Sequence, residues 1–543
     1  MHKHNPPIHS IREMLELAVA DNPEHISYQF KKDETLVSVT TRAFYESLEN
    51  LGAALTHLGF GKAHIACAGE NSYPWIQTFV TVLMSAGVFV PLDKELPVDQ
   101  MLYLVNDSDS EVVFCSEKYE KSFAARRAEI PKVKKFICFD REQDEGDFLS
   151  FSGLIARGAT LDRTAYDSLK SDENELKYLV YTSGTTGVAK GVMLSEHNIV
   201  SGIYYGLQVS HIYERGLAVL PFNHTYEAVC EILVSIQAQA TLCINDSLRH
   251  VLKNIQFYKP VHIYLVPAFS DLFYDKIHAS IRKQGKEKKF RFAVRLSNFL
   301  RHFGIDLRRK LFKDIHAQFG GKLRRIICGG APIRPEVGRF FDDIGIILTG
   351  GYGITECSPL VSVNEDDSTN NFSSAGHRLA CLEWRIDNPA PDGIGEICVK
   401  GDVVMLGYYK HPELTADAIR NGWFYTGDYG YLTEKDEIVI TGRKKNIIIM
   451  SNGKNIYPEE LELKISTLPY VTEVVVSGIQ NEFGEDTGLA AEIYMEDESI
   501  PHEDVPGDLS RVLADLPPYK RISKITYRKE PFPKTTTNKI KRG

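Results

Sequence analysis

The sequence predicts an α/β protein: parallel sheets in layers, then a small β-rich unit, then a smaller α+β unit. Three observations carry this. Short apolar runs alternate with helix-like segments through most of the 543 residues, which is the signature of βα layers. From about Gly395 the texture changes to short strands separated by Gly and Asp turns. From about Tyr457 a helix candidate is followed by two further strand candidates.

In chain order, HIACAG (64–69), EVVFCS (111–116), KKFICFD (134–140), KYLVYTS (177–183), GLAVLPF (216–222), HIYLVP (262–267) and RRIICGG (324–330) read as buried strands. YPWIQTFVTVLMSAG and HTYEAVCEILVSIQAQ read as helices between them. The stretch FVTVLMSAGVFVPL from Phe79 falls short of the ~18 apolar residues that cross a bilayer, and Thr, Ser and Gly interrupt it. It reads as a buried helix leading into a strand. GEICVKG, GWFYTGDYGYL and EIVITGR form the β-rich unit. YPEELELKISTL is a helix with Pro458 at an early position, and VTEVVVSGI and LAAEIYM are strands.

Composition narrows the class. Hydrophobic residues are 43% and charged residues 25%, as in ordinary globular proteins. The net charge of −9 argues against general nucleic-acid binding. Nine dispersed cysteines without a C-x-x-C pair read as reduced thiols of a cytoplasmic protein. The opening MHKHNPPIHSIREML has no signal-peptide core. One region stands apart: Arg282 to Arg325 holds fifteen Lys/Arg against three acids, a local net of +12. Within it Phe292, Leu296, Phe299, Leu300 and Phe303 form a helical stripe. That stripe fits a helix lying on an anionic membrane, and equally a helix packed on its own domain.

The loop YTSGTTGVAKG (181–191) has the composition of a phosphate cradle, because glycines free backbone N–H groups to face an anion. It is not a Walker loop, since Gly191 follows Lys190. Alone it fits a flexible connection as well. Six further motifs follow in order: PFNHTYE (221–227), GGAP (329–332), GGYGITE (350–356), YTGDYG (425–430), TGRKKNIIIMSNGKNIYPEE (441–460) and the closing PKTTTNKIKRG. Together they resemble the adenylate-forming superfamily of acyl- and aryl-CoA synthetases, peptide-synthetase adenylation domains and beetle luciferases, across nearly the whole chain.

The resemblance implies a large N-terminal domain (1–441), including a small β-barrel-like unit, a hinge (442–446) at Lys445, and a mobile C-terminal domain (447–543). It implies ATP, Mg²⁺ and CoA. Thr182, Ser183, Gly184, Thr185, Thr186, Gly187 and Lys190 would hold the β- and γ-phosphates. Glu356 would be the metal ligand, and Thr355 would bond the α-phosphate. Tyr352, between Gly351 and Gly353, would stack on adenine with the backbone of Gly329, Gly330 and Ala331. Asp428 would take the ribose hydroxyls and Arg443 a second ribose or phosphate contact. Lys539 would be the catalytic lysine, and Gly453 would line the thiol tunnel. Two positions depart from the pattern: Asn538 stands where Gly is usual, and Ala189 where Pro is usual.

His224 without a neighbouring Asp argues against an amino-acid substrate. HTYE, PLDKELP (91–97), the basic stretch and GKNIYPEE are similar to long-chain fatty acyl-CoA synthetases, which places His224 at an acyl pocket lined by 222–230, 263–272 and 328–334. Transfer to an acyl carrier protein in place of CoA is the near alternative. A non-catalytic acyl-nucleotide-binding protein is the distant one.

Overall fold

The structure, a computed structural model, describes residues 6–33, 35–169, 171–183, 189–365, 372–451, 454–482, 484–496, 501–534 and 540–542. Gly184, Thr185, Thr186, Gly187, Gly453 and Lys539 lie outside the described residues, as does Asn538; of Ser183 only the backbone is described.

The largest sheet has eight strands in the order Gly407–Tyr408, Ala189–Ser195, Leu176–Ser183, Val88–Leu92, His64–Ala68, Val112–Cys115, Lys135–Cys138 and Phe148–Ser150. From Leu176–Ser183 to the far edge every pairing is parallel, as the βα alternation requires. The helix Tyr73–Met84 is buried from Trp75 to its end. Ser72 caps it by accepting the Trp75 N–H, and Pro74 sits in its first turn, where its missing donor costs nothing. Its depth explains the apolar run that superficially approaches membrane character. Among the described residues no helix is long and apolar enough to cross a membrane.

A four-stranded sheet joins Arg215–Ala218, Thr241–Ile244, Ile26–Lys32 and Thr35–Thr40, and a five-stranded one runs from His262–Leu265 through Arg325–Cys328, Ile347–Gly353 and Leu360–Val363 to His377–Arg378. The β-rich unit is an antiparallel sheet of Leu382–Asp387, Gly395–Gly401, Trp423–Leu432 and Ile419–Arg420, with Ile438–Arg443 on the Trp423 strand. The smaller C-terminal domain has its own sheet, Glu473–Gln480, Asp486–Tyr494 and Ile522–Arg528. Its apolar core draws on residues from Ile448 onward.

Three details go beyond the sequence reading. The strand Leu176–Ser183 pairs antiparallel with a second strand, Ala189–Ser195, and the helix Glu196–Val209 then starts on a Ser195 capping box. Asp428 lies within the strand Trp423–Leu432, opposite Arg443 on one side and, on the other, at a bulge against Gly395–Gly401 that absorbs the turn-like TGD step. The helix predicted over HTYEAVCEILVSIQAQ contains a π-helical stretch, Ala228–Leu233. That stretch swings Glu231 into the seam between two sheets, where it meets His262 at 3.6 Å.

Candidate active site

Lys190 stands directly opposite Thr182 at the base of the hairpin. Its ammonium lies 5.2 Å from the centre of the Tyr408 ring, a cation–π contact. Tyr408 belongs to the edge strand that pairs with Lys190's own strand. Its hydroxyl donates to Glu356 Oε1 at 3.0 Å. Burial and the Glu356 charge both hold the Tyr408 phenol protonated. One chain of contacts therefore joins Lys190 to the predicted metal ligand.

Thr355, Glu356 and Cys357 form a single 3-10 turn after the strand Ile347–Gly353. Met405 N–H donates to the Glu356 carbonyl at 2.8 Å, and Ser358 Oγ donates to the Val403 carbonyl at 3.0 Å, so the turn is pinned to the chain just before Tyr408. Gly353 admits no side chain: a Cβ there would lie 2.4 Å from the Pro359 carbonyl oxygen.

Tyr352, Asp428 and Arg443 form a second cluster. Asp428 and Arg443 are cross-strand partners, with Arg443 Nε 2.8 Å from Asp428 Oδ1. The Tyr352 hydroxyl donates to Asp428 Oδ2 at 2.6 Å. Asp428 is 3% exposed. Thr426 Oγ1 accepts from the Asp428 N–H at 3.0 Å and donates to the Ile397 carbonyl at 2.8 Å. Gly427, at φ +69, supplies the left-handed step that rotates Asp428 inward. Burial, followed by the Asp428 charge, raises the Tyr352 phenol well above its ordinary range, so it acts as a donor.

The third group follows the strand Arg325–Cys328. Gly330 has φ +87, and a Cβ on Gly329 would lie 3.0 Å from the Tyr226 ring. Tyr226 donates to the Ile327 carbonyl at 3.1 Å, which fixes the loop Gly329–Ala331 against the segment carrying His224. His224, half-buried, opens the short helix Thr225–Glu227. Behind it, Glu227, Glu231, His262 and Arg325 are fully buried. Burial raises both glutamates, and the Glu231 charge raises Glu227 further. Burial, with the nearby Arg325 charge, lowers His262 to about 3.

Lys445 is exposed within the single turn Lys444–Asn446. Before it, Lys444 pairs with Glu396 at 2.5 Å; after it, Asn446 donates to Glu459 at 2.5 Å. The residues on either side of 535–539 are tied together: Lys534 bridges Ile540, and the Lys541 N–H donates to the Pro533 carbonyl at 2.8 Å. Arg542 pairs with Glu462, and Lys534 with Glu473 at 2.6 Å.

Tyr408 and Thr426 touch the predicted site residues and were not singled out from the sequence; Tyr226 was included only within the segment 222–230. Tyr408 carried one usable signal: a Gly-Tyr pair just before a turn, which acquires meaning only once its strand is paired beside Lys190. Among the described residues no three His, Cys, Asp or Glu cluster as a metal site. Glu356 instead offers one carboxylate, with Oε1 occupied by Tyr408. That suits Mg²⁺, which keeps waters and substrate phosphates as its other ligands.

An α/β body with a strand hairpin at a glycine-rich sequence, an acidic turn behind it and a buried Asp paired with a surface Arg at the junction to a small domain is the arrangement of a nucleotide-using enzyme fold. The profile of the AMP-binding enzymes matches residues 15–409, and the chain belongs to that adenylate-forming family. The long-chain-fatty-acid–CoA ligase FadD15 of Mycobacterium bovis is 26% identical over 491 residues, covering 85% of this chain and 79% of that protein. The chloroplastic long-chain-fatty-acid–[acyl-carrier-protein] ligase AEE15 of Arabidopsis thaliana is 25% identical over 539 residues, covering 84% and 71%. In fold, the anthranilate CoA ligase AuaEII in complex with anthranoyl-AMP superposes with a TM-score of 0.78 at 18% identity, over 98% of this chain and 96% of that one.

Proposed function

We propose that the protein activates a medium- to long-chain fatty acid with ATP, through an acyl-AMP and release of pyrophosphate, and transfers the acyl group to CoA. The observation that carries this reading is the Tyr352–Asp428–Arg443 cluster placed one turn from Glu356, on the motif order of the family. The relatives named above carry the acyl assignment. A carboxylate is a poor electrophile, and the mixed anhydride makes its carbonyl open to a thiol. Asp428 would hold the ribose, Tyr352 the adenine face, and Arg443 a ribose or phosphate oxygen. Thr182, with the loop from Ser183 to Gly187, and Lys190 would grip the phosphates that leave. Thr355 would orient the α-phosphate. Mg²⁺, held by Glu356 when bound, would neutralise charge on the phosphates.

Lys539 would enter from the smaller domain for the first half-reaction. Gly453 would face the thiol in the second, with rotation about Lys445 in the hinge 442–446 between domains 1–441 and 447–543. His224 would border the acyl chain. The dispersed cysteines support a cytoplasmic location.

The test is a panel of acids from acetate to oleate with ATP, each with and without CoA. The expected result is pyrophosphate release strongest with the longer acids, and acyl-CoA formed only with CoA. A second reading, transfer to an acyl carrier protein, rests on the second relative; acyl transfer to a carrier but not to CoA would select it. Absence of pyrophosphate release with every acid would overturn both in favour of a non-catalytic nucleotide-binding role.

The tail gives a separate prediction. Burial pushes the Glu462 carboxyl up to about 7, so its ion pair with Arg542 is complete only above that pH. The expected outcome is a wild-type rate that rises through about pH 7, and an Arg542→Ala variant about tenfold slower that lacks this rise. Acid-dependent pyrophosphate release measured across pH, beside thermal melting, checks it.

A further inference from the structure

We propose that the helix Glu287–Arg301 and the turn after it dock the protein on an anionic lipid bilayer. This goes beyond acyl activation and stands without it. The helix could have buried its large apolar stripe, and it does the reverse. Phe292, Leu296, Phe299 and Phe303 are 67%, 38%, 62% and 67% exposed. At ~100° per residue they fall within about 60° of arc. Phe299 and Phe303 touch only edge to face, ring centres 5.2 Å apart. Ile305 and Leu311, just beyond, are also exposed.

The opposite side holds the helix in this orientation. Phe290, Ala293 and Val294 pack on the core, and Ser297 is fully buried. Asn298 donates to Asp343 at 2.7 Å, and Arg301 pairs with Asp342 at 2.8 Å. Rolling the aromatic rings inward would break both contacts and expose that face.

The charges flank the rings. Lys288, Lys289, Arg291 and Arg295 are exposed, and among the described residues none has an ion pair. At ~100° per residue, Lys288, Lys289 and Arg295 lie within about 70° of the centre of the stripe, while the only acid of the helix, Glu287, falls on the far side. Three rings projecting between lysines match the interfacial layer of a bilayer, where the rings enter the acyl boundary and the cations meet phosphate. An acidic protein partner would account for the charges but would leave the rings in water or against polar surface. The local net of +12 in a chain of total −9 also turns this face toward a negative surface.

The experiment is co-sedimentation with phosphatidylcholine vesicles containing about one-third phosphatidylglycerol. The protein is expected to pellet with these and to bind pure phosphatidylcholine at least ~tenfold more weakly. Charge reversal at Lys288, Lys289 and Arg291 is expected to weaken binding tenfold or more, from roughly fivefold per lost cation. A triple variant Phe292→Ser, Phe299→Ser, Phe303→Ser, with every charge intact, is expected to weaken it about as much. Because these rings are exposed, thermal melting should match wild type; if the serine variant fails to fold, the charge variant decides. Wild-type protein left in the supernatant, or variants pelleting as wild type does, overturns the proposal. So does binding to an acyl carrier protein, or self-association through this face, without binding to vesicles.

Discussion

Lys539→Ala is expected to lower acid-dependent pyrophosphate release by about 10²–10³-fold, the cost of removing one preorganised charge from a developing anion. The attacking carboxylate and the α-phosphate are both negative, and their charges are forced together only as the new P–O bond forms. A cation placed between them contributes most in that transition state, so kcat falls further than KM for ATP rises. Attack of a thiol on a preformed acyl-AMP brings no second phosphate charge together. Acyl-AMP supplied to the variant is therefore expected to yield acyl-CoA at near wild-type rate. The structure bears on this through the flanks of 535–539, which Arg542, Lys534 and the Lys534–Ile540 bridge hold to the C-terminal domain. Quenched-flow release of labelled pyrophosphate, beside single-turnover thioester formation, separates the two steps. An unchanged first step would remove Lys539 from the chemistry.

The layered α/β body was legible because buried parallel strands write themselves as continuous apolar runs, and KYLVYTS and RRIICGG each became a central or inner strand. The hairpin partner Ala189–Ser195 was not legible. AKGVMLS has a half-buried pattern with Gly and Ser, and antiparallel pairing against Leu176–Ser183 overrides its weak propensity. The place of Asp428 was misread for a related reason. TGD is a turn sequence locally, but here it is a bulge within Trp423–Leu432, where the side chains of Glu396 and Thr426 accept from the Gly427 and Asp428 N–H groups. The basic helix shows a limit of periodicity. A stripe of Phe at helical spacing says that one face is apolar, not which way it points; here the inward face is built from smaller residues and two ties to Asp342 and Asp343. Tyr408 could not be singled out, because the Gly-Tyr pair gains meaning only once three segments distant in sequence are brought together.

Asp428→Ala is expected to lower kcat/KM for ATP by about 10²–10³-fold, because the two ribose hydrogen bonds it would lose go to a charged acceptor and are each worth about 1.5–3 kcal/mol. The carboxylate is 3% exposed and meets Arg443 and Tyr352 at once. Its loss leaves the half-exposed Arg443 guanidinium to water and a buried phenol without its acceptor. Asp428→Asn keeps the shape but removes the charge, and an amide can offer only one acceptor where two are used. A fall of about tenfold is expected there, at the weaker end of hydrogen bonds to charged groups. Tyr352→Phe keeps the aromatic face and removes one donor to Asp428, so it is expected to cost less than either. The order Ala, then Asn, then Phe follows from the carboxylate being the shared centre of the cluster. Steady-state kinetics in ATP, with AMP affinity by calorimetry and melting temperature as the fold control, reads that order. If Asp428→Ala weakens stability but leaves AMP affinity and KM for ATP at wild-type values, the cluster is a strut between the β-rich unit and the strand Ile347–Gly353, and the ribose is held elsewhere.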